Sequence, residues 1–229
     1  MTGSRVSWRW HSSQGARCIE NRDACGIYQC SAYTLSVVMD AFPRGKHGLP
    51  FNSAWMTRLL DGMKPELPAI ADMLALLRQA QQQIRTMKYL AERASCLAAL
   101  FPHGSREALA FHCGDCTLGI QSVDGKTRWL TPTHTLADFH GQHGWTPNPT
   151  QRHILTRTLN ARRFHHPEIT ALTAPPAGTW IIATDGYRHA EYDKTGHPAD
   201  DCSHLLVWTG LCPNPGKPAS NLYFRKSAD

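Results

Sequence analysis

The sequence predicts an α+β fold made of layers, with antiparallel strands. Strand patterns come first, two adjacent helix patterns follow, and strand patterns return for the rest of the chain. Strands and helices that do not alternate regularly argue against a parallel sheet of βαβ units and favour an antiparallel α+β structure. The 229 residues suit one domain spanning 1–229, which is long enough to bury a two-layer core. Within it, 211–229 is expected to be a loop-rich C-terminal extension.

The elements of the N-terminal half are predicted from the spacing of its apolar residues. Short segments in which apolar residues alternate or run together indicate strands, and apolar residues at helical spacing indicate helices. The first helix shows that spacing at Trp55, Leu59 and Met63. The predicted elements are strands at 5–10, 24–29 and 33–39, a Pro- and Gly-rich loop at 42–51, a helix capped by Asn52 or Ser53, and a helix from about Pro68 to the mid-80s.

The C-terminal half returns to strand patterns. Gly114-Asp115 and Asp124-Gly125 are turn sequences that separate neighbouring strands. The predicted elements are strands at 95–101, 108–113, 117–122 and 127–130, a short helix at 150–159, strands at 169–172, 180–184 and 205–208, a loop at 213–217 and a short terminal strand at 221–225.

Composition and charge exclude several classes of function. The net charge of +6 is moderate and scattered, and no basic and aromatic pattern or known motif indicates a nucleic-acid partner. No segment is apolar enough to span a membrane and the N-terminus lacks the apolar core of a signal peptide, so the expected location is cytoplasmic with no membrane partner. The eight cysteines are interpreted as thiols that fill apolar space. Four arginines are interpreted as a solvated helix face: Arg152, Arg157, Arg162 and Arg163.

Four aspartates stand where predicted strands begin or end. Asp40 and Asp185 each follow an apolar run, Asp23 opens a strand, and Asp200 stands just before the run at 205–208. Each alone is an ordinary turn former or helix cap. Together at one sheet edge they would repel each other unless cations neutralised them. Hard, oxygen-preferring ions such as Mg²⁺ or Mn²⁺ suit such a site.

The order of motifs resembles the metal-dependent Ser/Thr protein phosphatases of type 2C, in a reduced, bacterial-type form. The resemblance extends over nearly the whole chain and depends on the ordered set of segments. The matching segments are Asn21-Arg22-Asp23, Val37-Val38-Met39-Asp40-Ala41, Gly114-Asp115-Cys116-Thr117, Leu130-Thr131-Pro132-Thr133-His134, residues 152–160, Thr184-Asp185-Gly186 and Asp200-Asp201-Cys202-Ser203.

This resemblance implies a fold and a set of site residues. The implied fold is an α-β-β-α sandwich of two antiparallel sheets flanked by helices, with two Mn²⁺ or Mg²⁺ ions, or three, in a cleft at one edge. Asp40 would bridge the first two ions, and the catalytic set would be Asp40, Asp185 and Asp200. The implied metal set is Asp23, Asp40, the carbonyl of Ala41, Asp115, Asp185 and Asp200. Family members place a phosphate-binding arginine where this chain has Cys18, so Arg17 is its expected substitute.

The implied activity is hydrolysis of phosphoserine and phosphothreonine by a water that bridges two metal ions. The implied partners are a phosphorylated protein and a Ser/Thr kinase. Two other functions stay open, a weak or inactive phosphatase-like binding module and a metallophosphatase acting on a small metabolite. Thr133 replaces an aspartate of the family, the loop after Asp40 lacks the family's glycines, and the segment from Asp185 to Asp200 is short; the altered loop and the short segment motivate the binding module.

Overall fold

Two β-sheets form the centre of the protein. The computed structural model describes residues 6–42, 45–175, 178–192, 194–209 and 220–227. Arg5 and the loop predicted at 213–217 lie outside these residues. The strands are β1 (Val6–Ser13), β2 (Asp23–Gln29), β3 (Tyr33–Ala41), β4 (Arg93–Pro102), β5 (Glu107–Cys113), β6 (Thr117–Gln121), β7 (Thr127–Trp129), β8 (Leu159–Asn160), β9 (Glu168–Thr173), β10 (Thr179–Ala183), β11 (Cys202–Thr209) and β12 (Leu222–Lys226). The helices are α1 (Gly48–Gly62), α2 (Ile70–Arg85), α3 (Leu136–Gln142) and α4 (Asp185–Arg188).

The two sheets have five and seven strands. The five-stranded sheet has the order β1-β11-β10-β6-β7, and the larger sheet has the order β12-β2-β3-β4-β5-β9, with β8 added beside β4. Neighbouring strands are antiparallel except that β12 runs parallel to β2. On the outer side, α1 and α2 pack on the seven-stranded sheet, and the short α4 lies against β11 of the other sheet. The predicted α+β sandwich of two sheets flanked by helices is therefore confirmed.

The alternation of side chains along β3 explains how two cores form. Val38 points into the apolar layer between the two sheets, whereas Val37 and Met39 point toward α1 and α2. Successive side chains of a strand face opposite sides of a sheet. Because both faces of the seven-stranded sheet are covered here, β3 is buried without interruption until Asp40. The strand therefore carries its first carboxylate to the edge of both cores.

The first helix begins four residues before the predicted cap. It starts at Gly48, so the predicted loop at 42–51 was too long. The carboxylate of Glu92 accepts hydrogen bonds from the backbone N–H groups of Lys46 and His47, at 3.0 Å each. That contact comes from far along the chain and has no local signal. The side chain of Asn52, one of the two predicted caps, instead donates to the backbone carbonyl of Arg22.

The helix predicted at 150–159 was wrong. A 3₁₀ turn occupies Pro149–His153, and the chain then extends toward β8. Ile154 accepts a hydrogen bond from the backbone N–H of Leu136, and Thr156 donates one to the carbonyl of His134. These non-local bonds hold the segment extended, so the nearby arginines do not form a helix face. No helix in the described part of the chain is long and apolar enough to cross a membrane.

Candidate metal centre

Two of the predicted carboxylates lie side by side on adjacent strands. Asp23 opens β2, and its Cα partner across the strand pair is Asp40, the penultimate residue of β3. Asp40 is in turn paired with Ser95 of β4. Hence the local pattern that ends β3 in a carboxylate and the register of the sheet together bring these side chains to one edge.

Asp185 and Asp200 reach the same edge from the five-stranded sheet. Asp185 is the first residue of α4 and lies two residues after the end of β10, with Thr184 between them. Asp200 lies two residues before β11. The hydroxyl of Thr184 donates to Oδ2 of Asp23 at 3.1 Å. This buried hydrogen bond links the ends of the two sheets.

Asp115 is positioned by a glycine turn that packs on β4. Gly114 has a φ of +109°, and a Cβ atom there would stand 2.3 Å from Oγ of Ser95. The Ser95 hydroxyl donates to Oδ1 of Asp115 at 2.5 Å and accepts from the Asp115 backbone N–H at 3.2 Å. A positive φ and so close an approach favour glycine. The turn therefore delivers Asp115 beside the strand pair that carries Asp40.

One pocket with a volume of about 300 Å³ brings most of the predicted site residues together. Six of the seven line it: Arg17, Asp40, Ala41, Asp115, Asp185 and Asp200. The seventh, Asp23, does not line the pocket and is fully buried. Thr133 is not part of this pocket either, and its hydroxyl donates to Asp138.

Burial and mutual repulsion raise the pKa values of these carboxyl groups. The pKa values of Asp23 and Asp40 lie well above the usual range, first because of burial and then because of the neighbouring carboxylates. Burial, followed by the charge of Asp185, raises the pKa of Asp115 to about 7. The pKa of Asp185 is raised by burial and then by Asp200. Such a set gains from any cation that it can bind.

The donor set fits hard divalent cations. All the side chains concerned offer oxygen atoms, which Mg²⁺ and Mn²⁺ prefer. Oδ1 of Asp23 is buried and has no hydrogen-bond partner among the described residues, so none of them satisfies this oxygen. Within the described residues, however, no three His, Cys, Asp or Glu side chains stand close enough together to hold an ion as they are oriented.

Several residues that support the site were not singled out by the sequence. Asp201 accepts from the backbone N–H groups of Gly15 and Arg22, at 2.9 and 2.7 Å. Asn221 donates to the carbonyl of Asp23 at 2.8 Å and accepts from the indole of Trp10 at 3.0 Å. The Asp200-Asp201 doublet was the one available signal: both residues line the pocket, and Asp201 also anchors the chain through its two hydrogen bonds.

His134 holds the turn that carries Asp115. Its Nδ1 accepts the backbone N–H of Gly114 at 3.1 Å, and its own backbone N–H donates to the Gly114 carbonyl at 2.9 Å. Because Nδ1 accepts, the ring proton lies on Nε2, which donates to Glu168 at 3.1 Å. Burial lowers the pKa of His134, which favours this neutral form. His134 is therefore a positioning residue for Asp115.

Two arginines and one thiol line the pocket mouth. Arg22 is held by Glu20 at 3.2 Å and by the carbonyl of Phe42 at 2.9 Å. Arg17 lies exposed in the turn between β1 and β2. The Cys18 thiol donates to Asp200 at 3.3 Å, and burial together with that bond raises its pKa to about 12. Arg17 is the guanidinium at this mouth that is free of hydrogen bonds to described residues.

The cysteines behave as predicted in the part of the chain that the structure describes. All seven described cysteines are free, and five of them are buried. Cys113 and Cys116 flank the turn at Gly114 rather than opening a helix, so the Cys-x-x-Cys pair is not in the setting of a redox motif. Cys212 lies outside the described residues.

Comparison with known proteins identifies the fold. No protein-family model and no curated protein matches the sequence. Among solved structures, the serine/threonine phosphatase PstP/Ppp of Mycobacterium tuberculosis is similar, with a TM-score of 0.71 and 17% identity, over 90% of this chain and 99% of that chain. The phosphatase Stp1 of Staphylococcus aureus has a TM-score of 0.73 and 16% identity, over 90% and 95% of the two chains.

A further solved structure is a PstP catalytic domain in complex with two manganese ions. Its TM-score is 0.70 and its identity 18%, over 90% of this chain and 99% of that chain. A PPM Ser/Thr phosphatase from Mycobacterium smegmatis, at 20% identity, is also similar. These likenesses show that the chain has the fold of the PPM-type Ser/Thr phosphatases, as the motif resemblance implied.

Proposed function

We propose that this chain is a metal-dependent phosphoprotein phosphatase that hydrolyses phosphoserine and phosphothreonine. The observation that carries the proposal is the convergence of Asp40, Asp115, Asp185 and Asp200 from both sheets on one pocket. Burial first, and then repulsion within this cluster, raises the pKa values of Asp40, Asp115 and Asp185, and bound divalent cations would relieve that repulsion. The phosphatase fold agrees with this chemistry but does not by itself establish it.

In this proposal Asp40, Asp185 and Asp200 would hold a first ion. Asp40 and the carbonyl of Ala41 would hold a second, and Asp115 with Asp185 would hold a looser third. Divalent cations at such a site supply charge neutralisation at phosphoryl oxygens and activation of water. The fully buried Asp23 fixes the position of Asp40 across the strand pair. Ser95 keeps Asp115 turned toward the pocket.

The protein groups at the pocket mouth bind and orient the substrate. Arg17 presents an exposed guanidinium, which suits a phosphate because its fork of N–H groups can bind two oxygens. Cys18 is the one cysteine among the residues lining the pocket. In the metal-free protein, burial and the hydrogen bond to Asp200 raise the pKa of Cys18 to about 12, so its thiol is not activated as a nucleophile there. In the proposed reaction metal-activated water would be the nucleophile, so no covalent enzyme intermediate is needed.

A second function is favoured by one observation. Because no three ligating side chains within the described residues are close enough to hold an ion, the fold is also compatible with a module that binds phosphoproteins without turnover. The proposed partners are the same in both cases, a phosphorylated protein and a Ser/Thr kinase, and the proposed location is cytoplasmic. Only the enzyme requires the carboxylates to close around metal ions.

Two measurements separate the enzyme from the binding module. The first is hydrolysis of an aryl phosphate with and without Mn²⁺, and the second is calorimetric titration of Mn²⁺ into the metal-free protein. For the enzyme we expect Mn²⁺-dependent turnover in the unmodified protein and loss of both turnover and binding in Asp40→Asn and Asp185→Asn. Asp124→Asn is the matched control, since Asp124 is an exposed carboxylate in the turn before β7.

Failure to bind Mn²⁺ at any concentration would overturn the enzyme and favour the binding module. Turnover that Asp40→Asn retains would show that the chemistry lies elsewhere. If turnover is metal-dependent, a panel of phosphoserine and phosphothreonine peptides against small phosphoesters tests the substrate class. Efficient hydrolysis of small phosphoesters with poor hydrolysis of every peptide would contradict a phosphoprotein substrate.

A further inference from the structure

A basic groove adjoins the carboxylate pocket. It has a volume of about 650 Å³ and shares Phe42 and Leu155 with the carboxylate pocket as lining residues. We call it the basic groove and define it by its charged and titratable lining residues, which are Arg93, Arg157, Arg162, Arg163 and His165. Three of the arginines belong to the cluster that the sequence assigned to a solvated helix face. In the structure they line a concave surface instead.

The strand register places the basic groove next to the proposed metal ligands. The last residue of β3, Ala41, is paired with Ala94 of β4. Arg93 directly precedes Ala94 and is the first residue of β4. Arg93 is itself paired with Asn160 of β8. The backbone N–H of Phe42 donates to the carbonyl of Arg93 at 3.0 Å. A chain that enters the carboxylate pocket can therefore continue directly over Arg93.

Charge separates the two surfaces. The carboxylate pocket is lined by the aspartates described above, whereas none of the described residues that line the basic groove is acidic. Clustered guanidinium groups in a concave surface attract and orient anionic groups. The carboxylate pocket needs cations before it can accept an anion, but the basic groove does not.

Most of these guanidinium groups are available for a ligand. Arg93, Arg162 and Arg163 are exposed. The Arg162 Nε atom donates to the carbonyl of Leu90 at 2.9 Å, which ties that side chain to the protein. Within the described residues the guanidinium groups of Arg93 and Arg163 form no ion pair with a carboxylate, although ion pairs do engage Arg22, Arg152 and Arg225.

We propose that the basic groove binds acidic side chains that flank the phosphorylated residue of the protein substrate. The proposal rests on the proposed function for its reaction but not for its binding. A substrate segment would place its phosphorylated residue in the carboxylate pocket and its Asp or Glu residues over Arg93 and Arg163. The groove thereby selects acidic phosphoprotein segments over neutral ones and over small phosphoesters.

The test compares two substrates and two variants. The substrates are a phosphoserine peptide with several flanking Asp and Glu residues and the same peptide with Asn and Gln in their place. The test variant carries Arg93→Gln and Arg163→Gln, which remove charge from exposed side chains. The control is Arg128→Gln, because Arg128 is an exposed arginine on β7, in the other sheet. Hydrolysis is measured with Mn²⁺, and an aryl phosphate serves as the substrate that does not reach the groove.

We expect the unmodified protein and Arg128→Gln to prefer the acidic peptide, mainly through KM. In the double variant kcat/KM for the acidic peptide should fall roughly fivefold or more, as expected for the loss of two exposed charge pairs. Its kcat/KM for the aryl phosphate should not change. Added salt should weaken the preference for the acidic peptide, because exposed charges more than about 8 Å apart are already largely screened at an ionic strength of ~0.15 M.

A binding arm distinguishes failure of this inference from failure of the proposed function. Fluorescence anisotropy of a labelled, unphosphorylated acidic peptide in EDTA needs neither metal nor turnover. Binding that the double variant loses supports the groove even if no hydrolysis is found. Equal use of both peptides, no effect of the double variant, or an equal effect of Arg128→Gln overturns the inference. A single-stranded oligonucleotide that binds more tightly than the acidic peptide would overturn it in favour of a nucleic acid.

Discussion

Replacing Asp115 by asparagine should stabilise the metal-free protein. The substitution keeps the size of the side chain and an Oδ1 atom that can accept the hydroxyl of Ser95. It removes a carboxylate that burial and Asp185 disfavour in the charged form. It also removes one of the charges that raise the pKa of Asp40. The expected gain is therefore electrostatic and depends on pH.

The size and sign of the effect follow from the pKa of Asp115. In the folded protein that pKa is raised from 3.8 to about 7, so the native state binds more protons than the unfolded state between these values. Stability contributed by the protonated group is present at the acid end and is lost as pH rises through about 7. At about 1.4 kcal/mol per pH unit, the full effect is about 4 kcal/mol above that pH. This corresponds to ~8–16 °C in Tm for a chain of this size.

The assay is urea unfolding of the protein and of Asp115→Asn in EDTA at several pH values from 4.5 to 8.5, a range set around the ~7 pKa of Asp115. We expect the variant to gain little at the acid end and most of its advantage at pH 8. Asp124→Asn is the control of opposite sign, since hydrogen bonds from Ser122 and Lys126 lower the pKa of Asp124. Saturating Mn²⁺ should then stabilise the unmodified protein more than Asp115→Asn.

The reasoning is refuted by either of two results. If Asp115→Asn has the same pH dependence of unfolding as the unmodified protein, the pKa of Asp115 is not raised in the folded state. If it is less stable at every pH, the carboxylate contributes more through its bonds with Ser95 than it costs through burial.

Three further predictions concern the residues around the site. Asn221→Ala should cost about 3 kcal/mol in free energy of unfolding, because its side chain links β1 and β2 through three hydrogen bonds, two of them fully buried; an unchanged urea midpoint would contradict this. Gly114→Ala should lower the free energy of unfolding by about 3 kcal/mol, since Gly114 has a positive φ and an added Cβ would clash with Ser95. Gly125 also has a positive φ but has open space around it, so a parallel thermal melt of Gly125→Ala measures the backbone part of that loss. His134→Leu should lower the free energy of unfolding by about 2 kcal/mol, because the backbone N–H of Gly114 loses its hydrogen-bond acceptor. It should also weaken Mn²⁺ binding in calorimetry, whereas unchanged binding would limit His134 to a structural role.

The strands and α2 could be predicted because their signals are local. Period-2 and helical spacing reflect which face each residue must bury, and β3 and α2 lie close to their predicted positions. The start of α1 could not be predicted, since the carboxylate that binds the backbone N–H groups of Lys46 and His47 just before the helix belongs to Glu92. The turn at Pro149–His153 was missed for the same reason, because its continuation is held by bonds to His134 and Leu136.

The candidate site divides in the same way. The sequence predicts that each aspartate lies at a strand end, because an apolar strand next to a carboxylate must end at the boundary of a core. The sequence does not show that Asp201 also anchors the chain, because its hydrogen-bond donors are the backbone N–H groups of Gly15 and Arg22, far away along the chain. No sequence pattern distinguished the arginines of the basic groove, because the sequence does not show whether exposed basic residues lie on a flat or a concave surface.

By itself, then, the sequence determined the layered α+β class, the strands of both sheets other than β8, and the carboxylates at strand ends, because burial imposes a short-range period on the chain. Only the tertiary structure decided that Asp40, Asp115, Asp185 and Asp200 share one pocket, and that Arg93 and Arg163 open beside it. The physical reason is that strand register and sheet packing bring together groups separated by as many as 160 residues, and no local pattern encodes that distance.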